Sequence, residues 1–320
     1  MPQTHLRNVT RRQFLVSSGF AASAFCFAPR YSLERAADTN LVVAARSGAA
    51  KAKVEIQKIR GNISVLMGVG GNIAVLPGSD GKLLVDSGMG DTRSSINDAL
   101  AAISADPVKH LVNTHWHFDH TDGNEWVHAV GAAILAHENT RKHLSTATRV
   151  DDWDFNFPAR PAGAIPTEVL STKKTFHLNG ETIHVEYYGP AHTDSDISVH
   201  FVNADVLHTG DTWWNGVYPF VDYSTGGSIN AAIRAAEANI AKVSAKTTVI
   251  PGHGPVGEKS QLVEFRDTLA TIRNRVASLK KQGRTLNETV AAKPTASFDA
   301  KWAGFLINGD FFTKLVYIGV

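Results

Sequence analysis

Residues 115–120, HWHFDH, concentrate four side chains that can bind a metal ion. In an extended backbone His115 and His117 point to the same side and can hold one ion together. Asp119 and His120 are adjacent, so they cannot share one direction in regular structure, and a loop would turn them towards a second ion. The spacing therefore favours two metal ions side by side.

Four further segments carry an aspartate or a histidine within a short motif. They are LLVDSG with Asp86, GPAHTDSD with His192, LHTGDTWW with Asp211, and VIPGHGP with His253. Together with HWHFDH, and in this order, they resemble the signature segments of the metallo-β-lactamase superfamily. The resemblance extends over about residues 53–255.

This resemblance implies an α/β fold, the four-layer αββα sandwich, with the metal ions in a cleft at one edge. The implied ligands form two groups with a shared carboxylate: His115, His117 and His192 for the first zinc ion, Asp119, His120 and His253 for the second, and Asp211 between them. Asp119 and Asp211 are also the implied catalytic carboxylates. Asp86 is predicted to accept an N–H from a ligating histidine; an ordinary turn residue is the alternative.

Imidazole nitrogen and carboxylate oxygen are the ligands that zinc accepts, at about 2.0–2.2 Å. Water bound between two such ions ionises near pH 7, so the expected reaction is attack by metal-bound hydroxide on an ester, thioester, lactone or β-lactam of a small molecule. Iron or manganese could occupy the same ligands. The branch that degrades β-lactam antibiotics uses a cysteine ligand, which this chain lacks. His120 and the TGD segment are closer to the glyoxalase II and lactonase branches.

Aromatic residues surround the candidate ligands in the sequence. Six of them are predicted to line an apolar substrate pocket, with core packing as the alternative for each: Trp116, Phe118, Trp213, Trp214, Tyr218 and Phe220. Trp153, Phe155 and Phe157 alternate within a long irregular segment, residues 149–166, and this pattern predicts a flap over the metal ions.

The elements that must position these residues follow a repeated order. Short β-like runs at 53–60, 63–67, 73–76 and 82–86 are separated by glycine-rich turns, and a helix is predicted over 91–105. The second half has predicted strands at 182–188, 198–202, 206–209 and 248–250 and helices at 228–242 and 259–281. Two blocks of strands followed by helices predict packed sheets flanked by helices.

The N-terminus predicts export. Residues 10–15, TRRQFL, resemble a twin-arginine signal, and the apolar run over 16–28 is too short to span a bilayer as a stable helix. We expect a signal peptide and linker over 1–37, a flexible linker over 38–52, and a catalytic domain with a C-terminal helical extension over 53–320. The expected location is periplasmic or extracellular, and an uncleaved signal that anchors the protein in the membrane is the alternative.

The expected partners are a small-molecule substrate and the twin-arginine translocation machinery. The net charge of +2, from 32 basic and 30 acidic residues among 320, argues against a nucleic-acid partner. The only cysteine, Cys26, lies in the predicted signal, so the mature chain would have no disulfide. The sequence predicts no oligomeric state.

Two other functions use the same metal-binding residues. One is an iron-dependent oxidoreductase of the same fold, although His117 stands where the flavodiiron branch has an acidic residue, which favours hydrolysis. The other is a non-catalytic metal-binding accessory protein of a periplasmic dehydrogenase system.

Overall fold

The computed structural model describes residues 41–320. The predicted signal and linker, residues 1–37, and the first residues of the predicted flexible linker lie outside this range. Within it, no helix is both long and apolar enough to cross a bilayer.

The strands of the described chain follow in order: β1 (Glu55–Lys58), β2 (Ser64–Met67), β3 (Ile73–Leu76), β4 (Lys82–Val85), β5 (Val108–Val112), β6 (Ala133–His137), β7 (Thr148–Val150), β8 (Phe155–Phe157), β9 (Glu168–Leu170), β10 (Lys173–Leu178), β11 (Glu181–Tyr187), β12 (Ile197–Phe201), β13 (Val206–His208) and β14 (Thr248–Ile250).

The α-helices are α1 (Leu41–Ala49), α2 (Arg93–Ile103), α3 (Phe118–Thr121), α4 (Asn124–Ala129), α5 (Glu138–Ser145), α6 (Ile229–Lys242), α7 (Lys259–Lys281), α8 (Leu286–Ala291), α9 (Ala296–Trp302) and α10 (Gly309–Ile318). Helices α7 to α10 follow the last strand, β14, and are called the C-terminal extension below.

Two main sheets form the centre of the fold. The first has the order β1-β2-β3-β4-β5-β6-β9, and the second has the order β10-β11-β12-β13-β14. The first sheet is antiparallel from β1 to β4 and parallel from β4 to β9, and β14 is parallel to β13. Strands β7 and β8 form a separate antiparallel hairpin.

Alternation along the strands divides the core into layers, because successive side chains point to opposite faces of a sheet. Val65 and Val85 of the first sheet share a buried cluster with Val199 and Phe201 of the second. The next residues along, such as Leu66 and Leu84, pack instead with α2 and α4. Helices α6, α7 and α10 cover the outer face of the second sheet. The predicted four-layer αββα sandwich is confirmed.

One segment differs from the sequence prediction. The sequence predicts a flexible linker over 38–52, but Leu41–Ala49 forms α1. Its Val42 is buried in the core, and Arg46 donates two hydrogen bonds to Asp122, at 3.1 and 2.7 Å. Arg160 contacts the other oxygen of Asp122 at 3.0 Å. The helix is therefore held by partners far along the chain, which its own sequence does not reveal.

Candidate metal centre

The seven candidate ligands are carried by loops and short helices that follow strands. His115 and His117 lie between β5 and α3, and Asp119 and His120 lie in α3. His192 comes from the loop between β11 and β12. Asp211 follows β13, and His253 follows β14. Because β13 and β14 are parallel, their carboxyl ends meet at one edge, and the structure brings all seven side chains together there.

The side chains form two groups, each with its ligand atoms within 4.8 Å of one another. These are His115, His117, His192 and Asp211, and then Asp119, His120 and His253. Asp211 contacts both groups. Its Oδ2 is 3.4 Å from His192 Nε2 and 3.4 Å from His253 Nε2, and its Oδ1 is 3.1 Å from His120 Nε2. Asp211 thus lies where a bridging ligand would lie.

Hydrogen bonds on the far side of three imidazoles determine which nitrogen faces the centre. His120 Nδ1 lies 2.7 Å from Asp86 Oδ2, and His192 Nδ1 lies 2.8 Å from the carbonyl oxygen of Phe220. Thr114 Oγ1 donates to Asp86 and so accepts from His115 Nδ1, at 3.0 Å. When neutral, all three rings therefore turn the lone pair of Nε2 inwards.

A metal cation suits these residues. His117 Nε2 lies 3.0 Å from Asp222 Oδ2, so neutral His117 has its lone pair on Nδ1, which is 2.8 Å from His192 Nε2. Two lone pairs at this distance repel each other unless a cation accepts both. In addition, three buried atoms of the candidate ligands make no hydrogen bond in the described part of the chain: His115 Nε2, His120 Nε2 and Asp211 Oδ1. Buried polar atoms are rarely left unpaired, and metal coordination would satisfy them.

Electrostatics distinguish the two groups. Burial lowers the pKa of His192 to about 4, because the ring is withdrawn from water. Burial acts in the same direction on His253, but the Coulombic attraction of Asp211 and a hydrogen bond to Asp119 outweigh it and raise its pKa to about 9. Burial would raise the pKa of Asp119, yet attraction to His120 and the hydrogen bond to His253 hold it at about 2. A metal ion that binds His253 would therefore displace a proton at neutral pH.

Asp86 occupies the position predicted for it, next to a candidate ligand. Its Oδ1 accepts from the backbone N–H of Thr114 at 2.7 Å, and its Oδ2 faces His120. The side chain is fully buried, and the residue has a φ of +68°, in the left-handed region. A non-glycine residue in such a conformation costs about 1–3 kcal/mol, and strain of this kind clusters at functional sites. Asp86 is thus both a turn residue and the acceptor that orients His120.

Asp222 has a comparable role that the sequence analysis missed. It is fully buried, contacts His117 Nε2, and accepts a hydrogen bond from Thr225 Oγ1 at 2.7 Å. Thr225 also accepts from Trp116 Nε1 at 3.2 Å. The pKa of Asp222 is lowered, since the hydrogen bond and attraction of His117 outweigh burial, which acts to raise it. Asp222 thus fixes His117 so that Nδ1 faces the centre. Its sequence neighbourhood, FVDYSTGG, matches no motif, so only the fold reveals it.

Two glycines allow the backbone to approach the ligands. A Cβ added at Gly71 would lie 2.1 Å from His120 Cε1. A Cβ added at Gly252 would lie 1.8 Å from Asp211 Oδ1 and 2.8 Å from the carbonyl carbon of Gly210. Only a residue without a side chain fits at either position.

Of the aromatic residues predicted for the pocket, two contact candidate ligands directly and two stack on aromatic residues of the β7–β8 hairpin. Trp214 lies against His253 with ring centroids 4.3 Å apart, and Trp116 lies edge-on to His117 at 4.8 Å. Phe118 stacks on Phe157 at 5.7 Å, and Phe220 stacks on Trp153 at 4.6 Å.

For two of these six residues the structure favours the alternative of core packing. Tyr218 is fully buried, stacks on Phe312 of α10 at 4.7 Å, and donates to Asp299 at 2.9 Å. Trp213 is also fully buried in the cluster that includes α6 and α7. Both are core residues, because the helical extension covers this side of the second sheet.

The segment over 149–166 is more regular than predicted. It contains the β7–β8 hairpin, whose turn is a 3-10 helix over Asp151–Trp153. This turn places the ring of Trp153 4.8 Å from the ring of His117. The predicted flap residue is therefore adjacent to the centre.

Comparison with known proteins agrees with this geometry. The family model of the metallo-beta-lactamase superfamily matches residues 66–256, which include all seven candidate ligands. A protein of Methanocaldococcus jannaschii named "Probable metallo-hydrolase" is 29% identical over 189 residues, or 55% of this chain and 84% of the relative. A hydroxyacylglutathione hydrolase of Polaromonas sp. is 28% identical over 157 residues, or 48% of this chain and 52% of the relative.

Solved structures show the same fold. A metallo-beta-lactamase from Pontibacter korlensis superposes with a TM-score of 0.55 at 21% identity, covering 68% of this chain and 99% of the other. A sec-alkylsulfatase from Pseudomonas sp. gives a TM-score of 0.62 at 17% identity, covering 85% of this chain and 51% of the other. The chain thus spans about half the length of the sulfatase and of the Polaromonas hydrolase.

Proposed function

The chain belongs to the metallo-beta-lactamase superfamily, and on this basis we propose that it is an exported dinuclear zinc hydrolase that cleaves an ester, thioester, lactone or β-lactam bond. The observation that supports this proposal most directly is the position of Asp211, which contacts ligands of both groups. Five histidines and two aspartates supply the nitrogen and oxygen ligands that zinc accepts.

Zinc ions bound here would lower the pKa of a water to near 7 and polarise a carbonyl group. The residues of the chain supply negative charge and orient the histidine ligands. Asp119, with its pKa at about 2, stays anionic at neutral pH and faces His253 Nε2 at 3.2 Å. Asp86 and Asp222 orient two imidazoles through buried hydrogen bonds. These hydrogen bonds orient the ligands without any contact from substrate, and such pre-orientation favours electrostatic catalysis.

The names of two similar proteins favour two of these bonds. The hydroxyacylglutathione hydrolase relative supports including thioesters, and the metallo-beta-lactamase structure supports including β-lactams. Export rests on residues 10–15, TRRQFL. Fractionation of cells that express the full chain tests it, and an exclusively cytoplasmic protein would contradict it.

A substrate panel with metal analysis tests the proposed function. We expect purified protein to hold about two zinc ions per chain and to turn over at least one of an aryl ester, a lactone, an acyl thioester and a chromogenic β-lactam. Treatment with a chelator should abolish turnover, and added zinc should restore it, because the proposed nucleophile is a hydroxide bound to the metal ions. Protein that holds two zinc ions and cleaves none of the four would contradict the proposal. One bound iron with oxygen consumption would favour the oxidoreductase.

A further inference from the structure

Solvent reaches the metal centre along one side. The side chains of Asp119 and His253 are 12% and 6% exposed, whereas those of His115, His117, His120, His192 and Asp211 are at most 2% exposed. A substrate must therefore approach past Asp119 and His253. The residues next to these two ligands form the entrance.

The C-terminal extension contributes to this entrance. Phe305, in the loop between α9 and α10, has its ring centroid 5.8 Å from that of His253 and 6.0 Å from that of Trp214. Its ring is partly exposed. The family model ends at residue 256, so Phe305 belongs to a part of the chain outside the matched region. This extension does more than cover the second sheet.

A second aromatic residue lies beside His117, a candidate ligand of the first group. Trp153 is partly exposed and lies 4.8 Å from His117, 5.8 Å from Phe118 and 4.6 Å from Phe220, all measured between ring centroids. Phe118 directly precedes Asp119 in the sequence. We call Trp153 and Phe305, with the buried Phe220 and Trp214 behind them, the aromatic rim.

The cations that lie over aromatic rings of this region are already paired. Arg46 lies over Phe118 and binds Asp122 at 2.7 Å. Lys314 lies over Phe311, which packs near Phe220, and binds Asp152 at 2.8 Å. Neither Arg46 nor Lys314 can neutralise a carboxylate on a substrate without leaving its own ion pair, whereas an apolar group would lose water against the rings at no such cost.

We propose that the aromatic rim selects uncharged substrates with an apolar group, aryl or bulky alkyl, next to the scissile bond, and that Phe305 and Trp153 are specificity-determining residues. This inference rests on the proposed hydrolase function. It names the substrate class that the same centre would accept.

Esters that differ in one group test the inference. Ethyl phenylacetate and benzyl acetate carry a phenyl ring on either side of the bond, ethyl acetate lacks the ring, and monoethyl succinate carries a carboxylate. We expect kcat/KM for at least one phenyl ester to exceed the values for ethyl acetate and monoethyl succinate by about 10-fold or more, mainly through KM. Phe305→Ala and Trp153→Ala should each reduce this ratio about 3- to 10-fold.

Phe298→Ala is the matched control. Phe298 is a partly buried phenylalanine of the same extension, and it packs against Arg275 at 5.2 Å, not against a ligand. It should leave the ratio unchanged. Equal ratios for wild type and Phe305→Ala, or a preference for monoethyl succinate, would overturn the inference while leaving the hydrolase function intact.

Calorimetric binding of phenylacetamide and acetamide separates recognition from turnover. We expect phenylacetamide to bind the zinc-loaded protein about 10-fold more tightly or better, and Phe305→Ala to remove most of this difference. If no ester, lactone, thioester or β-lactam is hydrolysed but this difference is found, the proposed function fails and the apolar recognition stands. If esters are hydrolysed but both amides bind alike in wild type, the inference fails alone.

Discussion

Replacing Asp211 with alanine is expected to reduce bound zinc from about two ions to less than one per chain and to lower turnover by more than about 100-fold. Loss of a residue that merely orients a ligand already costs about 10- to 100-fold in metal affinity or activity. Asp211 contacts both groups, with Oδ2 near His192 and His253 and Oδ1 near His120. Its loss therefore removes a ligand from each metal ion and an anion that balances the charge of both. Elemental analysis of dialysed protein and initial rates measure the effect.

Two variants make this result interpretable. Asp98→Ala removes a carboxylate from an exposed position of α2 and should change neither metal content nor rate. Asp211→Asn keeps the size of the side chain and should retain the fold. In the presence of chelator its unfolding temperature should equal that of the wild type, whereas its zinc content without chelator should be lower. Two zinc ions in Asp211→Ala, together with wild-type turnover, would show that Asp211 does not bridge.

Gly252→Ala is expected to remove activity although it adds a single methyl group. The new Cβ would lie 1.8 Å from Asp211 Oδ1 and 2.8 Å from a backbone carbon, so the bridging carboxylate or the backbone must move. Overpacking of this kind costs about 1–3 kcal/mol of stability. A displacement of about 1 Å at a catalytic group can cost about 100-fold in rate. We expect a lower free energy of unfolding, loss of zinc and at least that loss of turnover.

Gly163→Ala is the matched control for this substitution. Its added Cβ would meet only Glu125 Cγ at 3.7 Å and His128 Cδ2 at 3.8 Å, which is ordinary contact. It should preserve zinc content, turnover and the midpoint of denaturant unfolding. If Gly252→Ala also preserved zinc content, turnover and stability, the close approach of Gly252 to Asp211 would be contradicted.

The sequence revealed the fold and the seven candidate ligands because both are encoded locally. Alternating apolar residues and glycine turns located β1 to β4 to within a few residues, and the order of five short motifs indicated the αββα sandwich. The ligands lie inside those motifs, at the ends of strands. Asp86 could be foreseen for the same reason, since it follows β4 directly.

The remaining features depend on contacts between distant residues. Asp222 orients His117 from 105 residues away, and its own neighbourhood resembles an ordinary turn. The sequence does not reveal helix α1, because Asp122, which binds its Arg46, lies 76 residues further along the chain. For Tyr218 the sequence leaves pocket lining and core packing open, because an aromatic residue near a motif has the same sequence pattern whether it faces substrate or packs on α10. Only the fold separates these cases.

The most direct test of the dinuclear centre is diffraction from crystals grown with zinc, with data collected on both sides of the zinc absorption edge. The structure predicts two anomalous peaks about 3.5–4 Å apart. One should be contacted by His115, His117 and His192, the other by Asp119, His120 and His253, and both by Asp211. A single peak, or peaks that lie away from Asp211, would contradict the central claim that these seven side chains hold two metal ions.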